Sequence, residues 1–326
     1  MSAWRVLVTS RSFLEAAPEA ARRLEEAGVE LLRAPADRPL EEEEMAGLLG
    51  EVDGIVAGVD RIGRRALQKG APRLRVIARV GVGVDTIDLQ AATELGVVVT
   101  NTPGANAEAV AELAFGLMIV LARGILSADR GVREGRWVRP FGVELFGKCL
   151  GVVGFGHIGQ AVARRGVGFG MEVVASDPLV DPEVARTLGV ALVPFPEVVA
   201  RADFLTLHVP LLPETQYLVG EAELRRMKPT AYLINTSRGG VVDEAALTRA
   251  LQEGWIAGAA CDVFEEEPPV RSPLLQAPNV VLTPHVGGHT REAAARAARQ
   301  ATEQVLAVLR GERPPHVVNP EVFERR

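Results

Sequence analysis

The chain is poor in cysteine, in basic blocks and in long apolar runs, and each shortage removes a class of function. Only two cysteines, Cys149 and Cys261, occur in 326 residues. They stand far apart and in no metal-ligand spacing, so neither a disulfide scaffold nor a metal module is indicated. Free thiols in a reducing cytoplasm are the expectation. The net charge is −6 and no long basic block appears, which leaves nucleic-acid binding without electrostatic support. The longest apolar stretch, Leu113–Leu121, is too short to cross a bilayer, and Glu108 and Glu112 precede it. It reads as a buried interdomain helix, and no membrane partner is expected. The segment Trp4-Arg-Val-Leu-Val-Thr9 reads as a strand rather than a signal peptide. The acidic run Glu41–Glu44 reads as the solvated first turn of a helix. No repeat beyond two α/β halves and no low-complexity tract is present.

What the chain does have is ordinary globular material, 48% hydrophobic and 24% charged, long enough for two domains. Residues 1–101 alternate apolar strands (5–9, 29–32, 54–57, 76–79 and 97–101) with helices (13–27, 41–50, 64–69 and 88–95). Such alternation predicts a parallel sheet with helices on both faces. Residues 107–124 read as one long helix. Residues 130–148 are rich in Gly and Arg, carry Trp137 and Phe141 and have no clear period, so an arm is expected there. A second alternation begins at Leu150, with six strands (150–153, 172–176, 204–207, 231–235, 257–261 and 280–283), as a doubly wound dinucleotide domain requires. Its helices fit at 158–169, 183–188, 221–227 and 243–253. A final amphipathic helix spans 290–310. The fold class read from this pattern is α/β with two doubly wound parallel-sheet domains.

The sequence Leu150-Gly-Val-Val-Gly-Phe-Gly-His-Ile-Gly159 runs a strand into a G-x-G-x-x-G turn and then a helix. Gly154 suits the tight turn, Gly156 the approach of backbone to a pyrophosphate, and Gly159 close packing of helix on strand. In a chain with 33 glycines such a motif alone is weak. Its place between strand and helix strengthens it, as does Asp177 at the end of the next apolar run, where a ribose-binding acid is expected. A carboxylate there bonds ribose hydroxyls and repels a 2′-phosphate, so NAD is favoured over NADP. The bland alternative is a plain βα turn with Asp177 capping a helix.

Three later segments each place one polar side chain after an apolar run: Asn235-Thr-Ser-Arg-Gly-Gly240, Asp262-Val-Phe-Glu-Glu-Glu-Pro268 and Thr283-Pro-His-Val-Gly-Gly288. Reduction of a 2-oxo acid needs a cation to grip the carboxylate, an acid to protonate the carbonyl oxygen, and a group that keeps this acid protonated. Arg238, His285 and Glu267 suit these tasks in that order, since a neighbouring carboxylate favours an imidazolium. Singly, each has a structural alternative: a local salt bridge, a core histidine, a solvated glutamate. Together they follow predicted strands of one sheet, at the carboxyl ends where such sheets bind ligands. Asp262 suits either a hydrogen bond to a nicotinamide carboxamide or a capping role.

From about Asp53 to Asn319 the chain resembles the D-isomer-specific 2-hydroxyacid dehydrogenases, and within them the phosphoglycerate dehydrogenase type. The motifs that carry this are Arg79-Val-Gly-Val-Gly-Val-Asp85, Asn101-Thr-Pro-Gly-Ala-Asn-Ala-Glu-Ala-Val-Ala-Glu112, the Gly154–Gly159 loop, His208-Val-Pro-Leu211 and the three segments above. The resemblance implies that Arg238 anchors the carboxylate, that Glu267 partners His285, and that His285 is the acid/base. It implies substrate contacts from the Val82-Gly83 backbone. It also implies NAD contacts at His157, Ile158, Asp177, Val209, Thr236, Ser237, Asp262 and Gly287. It further implies a flavodoxin-like substrate domain (1–101 with 290–326) and an inserted Rossmann NAD domain (102–289), with catalysis in the cleft and domain closure excluding water. A cytoplasmic homodimer through residues 105–148 is expected, with Trp137 either buried in that interface or reaching the partner's active site.

Two departures from the phosphoglycerate type bear on the substrate. That type commonly carries an arginine after the strand equivalent to 54–57, available to a substrate phosphate. Here the stretch reads Ala57-Gly58-Val59, and Arg61 is the nearest cation. The sequence also ends at Arg326, without the regulatory extension many such enzymes carry, so serine feedback is not expected although a role in serine biosynthesis is. D-3-phosphoglycerate dehydrogenase-like activity is the first expectation and glyoxylate/hydroxypyruvate reductase the alternative. An NAD(H)-sensing corepressor-like protein is the reading of another class. A dehydrogenase of another type, oxidising formate or phosphonate, is a further one.

Overall fold

The computed structural model describes residues 4–35 and 38–324. The chain divides into two compact units, residues 1–106 with 289–326, and residues 107–288. The sequence reading set these boundaries at 101/102 and 289/290. Residues 101–105 are tied into the first unit: Thr102 N–H donates to Gly81 O at 2.9 Å, and Arg296 Nε donates to Ala105 O at 2.9 Å.

In the first unit the strands are β1 (Trp4–Val8), β2 (Val29–Arg33), β3 (Gly54–Ala57), β4 (Val76–Arg79) and β5 (Val98–Thr100). They form one parallel sheet in the order β2-β1-β3-β4-β5, the flavodoxin-like order. Alternate side chains go to opposite faces of each strand. Val6, Val8, Val56, Val76 and Ala78 pack under α1 (Arg11–Ala16), α2 (Pro18–Glu26) and the last helix of the chain. Leu7, Ile55, Ala57, Ile77 and Val99 pack on the other face under α3 (Glu42–Leu48), α4 (Arg64–Gly70) and α5 (Leu89–Glu94). The helix expected over 13–27 is thus two helices. Pro18 has no N–H to continue the first, and it holds Ala17 away from helical geometry (φ −142°, ψ 60°).

The second unit runs α6 (Ala107–Arg123), α7 (Ile125–Arg133), β6 (Cys149–Val153), α8 (His157–Gly168), β7 (Glu172–Ser176), α9 (Pro182–Thr187), β8 (Ala191–Leu192), α10 (Phe195–Arg201), β9 (Phe204–Leu207), α11 (Glu221–Arg226), β10 (Tyr232–Asn235), α12 (Glu244–Glu253), β11 (Gly258–Cys261) and β12 (Val280–Leu282). Its sheet is parallel, in the order β12-β11-β10-β9-β6-β7-β8. The order reverses between β6 and β9, the switch point at which such sheets bind dinucleotides. Leu150, Val152, Val173, Ala175, Phe204 and Ile234 face α6 and α8, while Val153, Val174, Leu205, Leu207 and Leu233 face α10, α11 and α12. The sequence reading missed β8, α10 and α7. The first is two residues long, the second starts behind Pro194, and the third runs from Ile125 into the start of the Gly- and Arg-rich stretch that reads as an arm. Among the described residues no single helix is long and apolar enough to cross a membrane.

The last helix, α13 (Arg291–Leu309), returns to the first unit and completes its core through Ala298, Ala301, Val305 and Leu306. Beyond it the chain covers the free edge of β5. Val318 N–H donates to Val99 O at 2.8 Å, and buried Asn319 accepts from Val99 N–H at 2.8 Å while donating to Val97 O at 2.9 Å. Asn319→Ala leaves two buried backbone groups unpaired, at about 1–3 kcal/mol each. A lowered guanidinium midpoint for the first unit is expected. An unchanged midpoint would show that the edge is not held by this side chain.

Candidate active site

The site residues of the second unit lie on loops that leave the carboxyl ends of β6, β7, β9, β10, β11 and β12. At the end of β6, Gly154 has φ +88°, and a side chain there would meet the backbone of His208. Only glycine tolerates both conditions. Gly159 packs against the Gly154 carbonyl, whereas a side chain at Gly156 would meet nothing within 4 Å. The turn is therefore closed on the sheet side and open above Gly156, where α8 begins with its N–H groups unpaired by the helix. His157 is exposed and Ile158 half-buried at that helix start. Asp177 accepts from Phe155 N–H at 2.7 Å through one oxygen and from Leu179 N–H at 2.8 Å through the other. It thus pins the glycine turn as well as standing at the end of β7.

At the end of β9, His208 Nε2 lies 2.9 Å from Thr206 Oγ1, while Nδ1 is sealed from solvent with no hydrogen-bond partner. The residue as a whole is half-buried, and burial of its ring pushes its pKa down to about 3, so the imidazole is neutral. Val209 lies against Gly154. Thr236 Oγ1, after β10, is likewise buried and unpartnered. Buried polar atoms are normally paired. Two orphans beside an open glycine turn, with a carboxylate at the next strand end, fit a dinucleotide lying along this edge.

The catalytic candidates occupy the next three strand ends. After β10, buried Asn235 accepts from Ser237 N–H (3.1 Å) and Ser237 Oγ (2.8 Å) and donates to Arg238 O (2.9 Å). This asparagine turn fixes the backbone from which Arg238 projects. Ser237 is thereby committed to the turn through its hydroxyl and its carbonyl, which accepts from Arg238 Nη1 at 2.7 Å. The following Gly239 touches the backbone of Phe264 and Glu265 so closely that no side chain fits. The loop bearing Arg238 and the loop bearing Glu267 are therefore in backbone contact.

Asp262, at the end of β11 and 1% exposed, organises the His285 loop. One oxygen accepts from Thr283 Oγ1 (2.6 Å) and Val286 N–H (2.9 Å), and the other from Gly287 N–H (2.8 Å). Its carbonyl accepts from His285 N–H at 2.8 Å. These bonds hold His285 at φ +53°, a left-handed conformation that costs a non-glycine residue on the order of 1 kcal/mol. Asp262 thus braces the His285 loop. Gly287 is buried beneath it, leaving 3.0 Å between an added Cβ and Asp262 Oδ2.

His285 Nδ1 lies 2.8 Å from Glu267 Oε2, and Glu267 also accepts from Phe264 N–H at 3.2 Å. Burial alone would raise the Glu267 pKa, but the His285 hydrogen bond and charge, the Phe264 N–H and the charge of Arg238 outweigh it, and the net shift is downward. The stabilisation from this contact is present above the ordinary carboxylate value and is lost as pH falls through the lowered folded value. At neutral pH the pair is intact. With side-chain exposures of 46% and 39%, its worth lies in orientation rather than stability.

In the first unit, Val82 and Gly83 lie in the loop after β4. Asn101 Nδ2 donates to Val82 O at 2.8 Å, and Gly81 N–H donates to Thr102 Oγ1 at 2.9 Å. After β3, Asp60 is 2% exposed and accepts from Leu40 N–H (2.9 Å) and from Thr9 Oγ1. Val59 is exposed beside it, and Arg61 follows with its N–H bonded to Leu40 O at 3.0 Å. The sequence reading gave no role to Asn235, Gly239 or the Phe264 N–H. Asparagine two residues before serine at a strand end signals such a turn, whereas a backbone contact like that of Gly239 leaves no local signal.

Residues 115–287 match the NAD-binding domain of the D-isomer-specific 2-hydroxyacid dehydrogenase family. A glyoxylate reductase of Korarchaeum cryptofilum is 48% identical over 263 residues, covering 78% of this chain and 79% of that protein. A D-3-phosphoglycerate dehydrogenase of Methanocaldococcus jannaschii is 46% identical over 284 residues, covering 86% of this chain and 54% of that protein. A crystal structure of a Thermus thermophilus protein superposes with a TM-score of 0.86 at 39% identity, covering 96% of this chain and 99% of that one.

The contact at Gly239 sets a test. Gly239→Ala must push the Phe264–Glu265 backbone away, and a displacement near 1 Å at a reacting group costs on the order of 100-fold. A fall of that size in kcat is expected with a folded, NADH-binding protein. Full activity would show that the two loops are not mechanically linked.

Proposed function

The chain belongs to the D-isomer-specific 2-hydroxyacid dehydrogenase family, and from that premise we propose that it reduces a small, unphosphorylated 2-oxo acid, glyoxylate or hydroxypyruvate, to the 2-hydroxy acid with NADH. The observation that carries this reading is the 2.8 Å contact of His285 with Glu267, with the Arg238 charge acting on the same carboxylate, at the carboxyl edge of a dinucleotide sheet. Bound NADH supplies the hydride. Arg238 holds the substrate carboxylate and turns the carbonyl toward His285. The engaged Nδ1 leaves Nε2 to give its proton to the carbonyl oxygen as charge develops there. Glu267 holds the ring by its contact with Nδ1. Asp177 selects NADH by occupying the place of a 2′-phosphate.

The choice of an unphosphorylated substrate rests on the β3 loop. There the chain carries exposed Val59 and buried Asp60 at the stretch where the phosphoglycerate type commonly has an arginine. The glyoxylate reductase from Korarchaeum supports the same choice, while the Methanocaldococcus relative keeps phosphoglycerate chemistry as the second reading. Hydroxypyruvate and 3-phosphohydroxypyruvate differ only by the phosphate. A higher kcat/KM for hydroxypyruvate is expected, and a preference for the phosphorylated acid would overturn the assignment. Tight NADH binding without turnover of any 2-oxo acid would favour the sensor reading.

The roles separate kinetically. Arg238→Gln is expected to raise KM for the acid roughly ten-fold or more. His285→Gln is expected to lower kcat by about 100-fold or more. An active His285→Gln enzyme with an unchanged pH profile would remove the proton-donor role.

We further propose that the chain forms a homodimer through residues 105–148 and works in a reducing compartment such as the cytoplasm. Trp137, Phe141 and Phe146 are 83%, 107% and 73% exposed, and Leu126 and Val132 of α7 are exposed near them, an apolar patch that a second copy would cover. Both cysteines are buried and free, which supports the compartment. Sedimentation should give twice the chain mass of 34.8 kDa, and a monomer at micromolar concentration would remove the dimer.

A further inference from the structure

We infer that Glu244 is a positioning residue for the proton-transfer pair, holding the Phe264–Glu267 loop so that Glu267 reaches His285. The inference rests on the roles proposed above for those two residues.

Glu244 is the first residue of α12 and only 6% exposed. A buried carboxyl group is costly unless its oxygens are bonded. Both are: one accepts from Glu265 N–H at 2.7 Å, and the other accepts from Ser272 Oγ. The clasp is reciprocal, because Glu244 N–H donates to Glu265 Oε1 at 3.1 Å. Glu265 Oε2 in turn accepts from the Tyr217 hydroxyl at 3.1 Å. Two acidic side chains thus meet through backbone N–H groups. One of these belongs to the start of a helix, where acidic groups are favoured. The segment 265–272 is gripped at both ends by a single side chain, and Glu267 lies within it. On its other side the same loop bears on Gly239. The stretch from Arg238 to Glu244 therefore sets where Glu267 stands, although Glu244 itself touches no reacting atom.

The titratable groups around the clasp are Glu265, Tyr217, Asp243, Cys261, Arg238 and His285. The hydrogen bond and charge of Glu265 raise the Tyr217 hydroxyl, and burial pushes the Cys261 thiol up to about 12. Both stay protonated near neutrality, so a limb of the rate profile there belongs to neither.

The test is the pH profile of kcat for 2-oxo acid reduction in Glu267→Gln, Glu244→Ala, Glu244→Gln, Glu265→Ala and the double variant Glu244→Ala/Glu267→Gln. Glu267→Gln should lower kcat and move the alkaline limb to lower pH, because the carboxylate held at His285 Nδ1 is lost. Glu244→Ala should move it the same way with a loss on the order of ten-fold. Glu244→Gln, which keeps an oxygen for Glu265 N–H, should stay close to wild type. Glu265 is exposed, so Glu265→Ala should fold even where Glu244→Ala does not, and should show a smaller shift of the same sign. The double variant should shift no further than Glu267→Gln alone. Loss of activity in Glu244→Ala and Glu265→Ala with the limb in place overturns the positioning role alone. A limb unmoved by Glu267→Gln overturns both this role and the catalytic assignment.

Discussion

The hydrogen bonds accepted by Asp262 are the constraint on which the chemistry of the second unit depends. One buried carboxyl group receives the Thr283 hydroxyl and two backbone N–H groups, and the same residue's carbonyl takes a third. They help hold His285 in a left-handed backbone that its side chain disfavours. The imidazole is presented by a loop that has no freedom to relax, so its direction is settled before substrate arrives. The acid catalysis proposed for His285 would profit from such pre-organisation, because the donor would not have to be oriented during the reaction.

The carboxylates of this edge divide the work by environment. Asp262 and Glu244 are buried and braced, and they act on backbone. Asp177 braces the glycine turn through Phe155 N–H and stands where a ribose is expected. Glu267 is partly exposed and meets a side chain that carries a proton. Four acids on one sheet edge would repel one another if they faced each other bare. Here each is met by N–H or hydroxyl donors.

Much of the fold is legible in the sequence because buried parallel strands read as short apolar runs bounded by helices. The limits of β3, β4, β7 and β9 were readable to the residue. Where the reading failed, the local signal was weak or misweighted. The two-residue β8 has no pattern to find, and α7 is masked by the composition of the arm that follows it. Pro18, by contrast, carries a rule strong enough to divide the first helix. In the candidate site, Arg238, Glu267 and His285 could be picked out by side-chain type at strand ends, and the structure brings His285 and Glu267 into contact. The Glu244–Glu265 clasp was not legible, since two acids 21 residues apart signal repulsion until the backbone N–H groups between them are placed. The Val59–Asp60 step lies between these cases: an absent arginine is visible in the sequence, but the burial of Asp60 behind it is not.

The way α13 and the Asn319 tail complete the first sheet also orders events during synthesis. A ribosome delivers the strands β1 to β5 early, yet the layer that covers one face of them and the strand-edge cover at β5 are translated only after the inserted unit. The inserted unit is complete in sequence at Gly288, before α13 exists. The nascent chain therefore carries an unfinished amino-terminal half while its middle already has every residue of its own core. Nascent-chain helpers that shield apolar sheet faces would find their work at the amino-terminal sheet until α13 emerges.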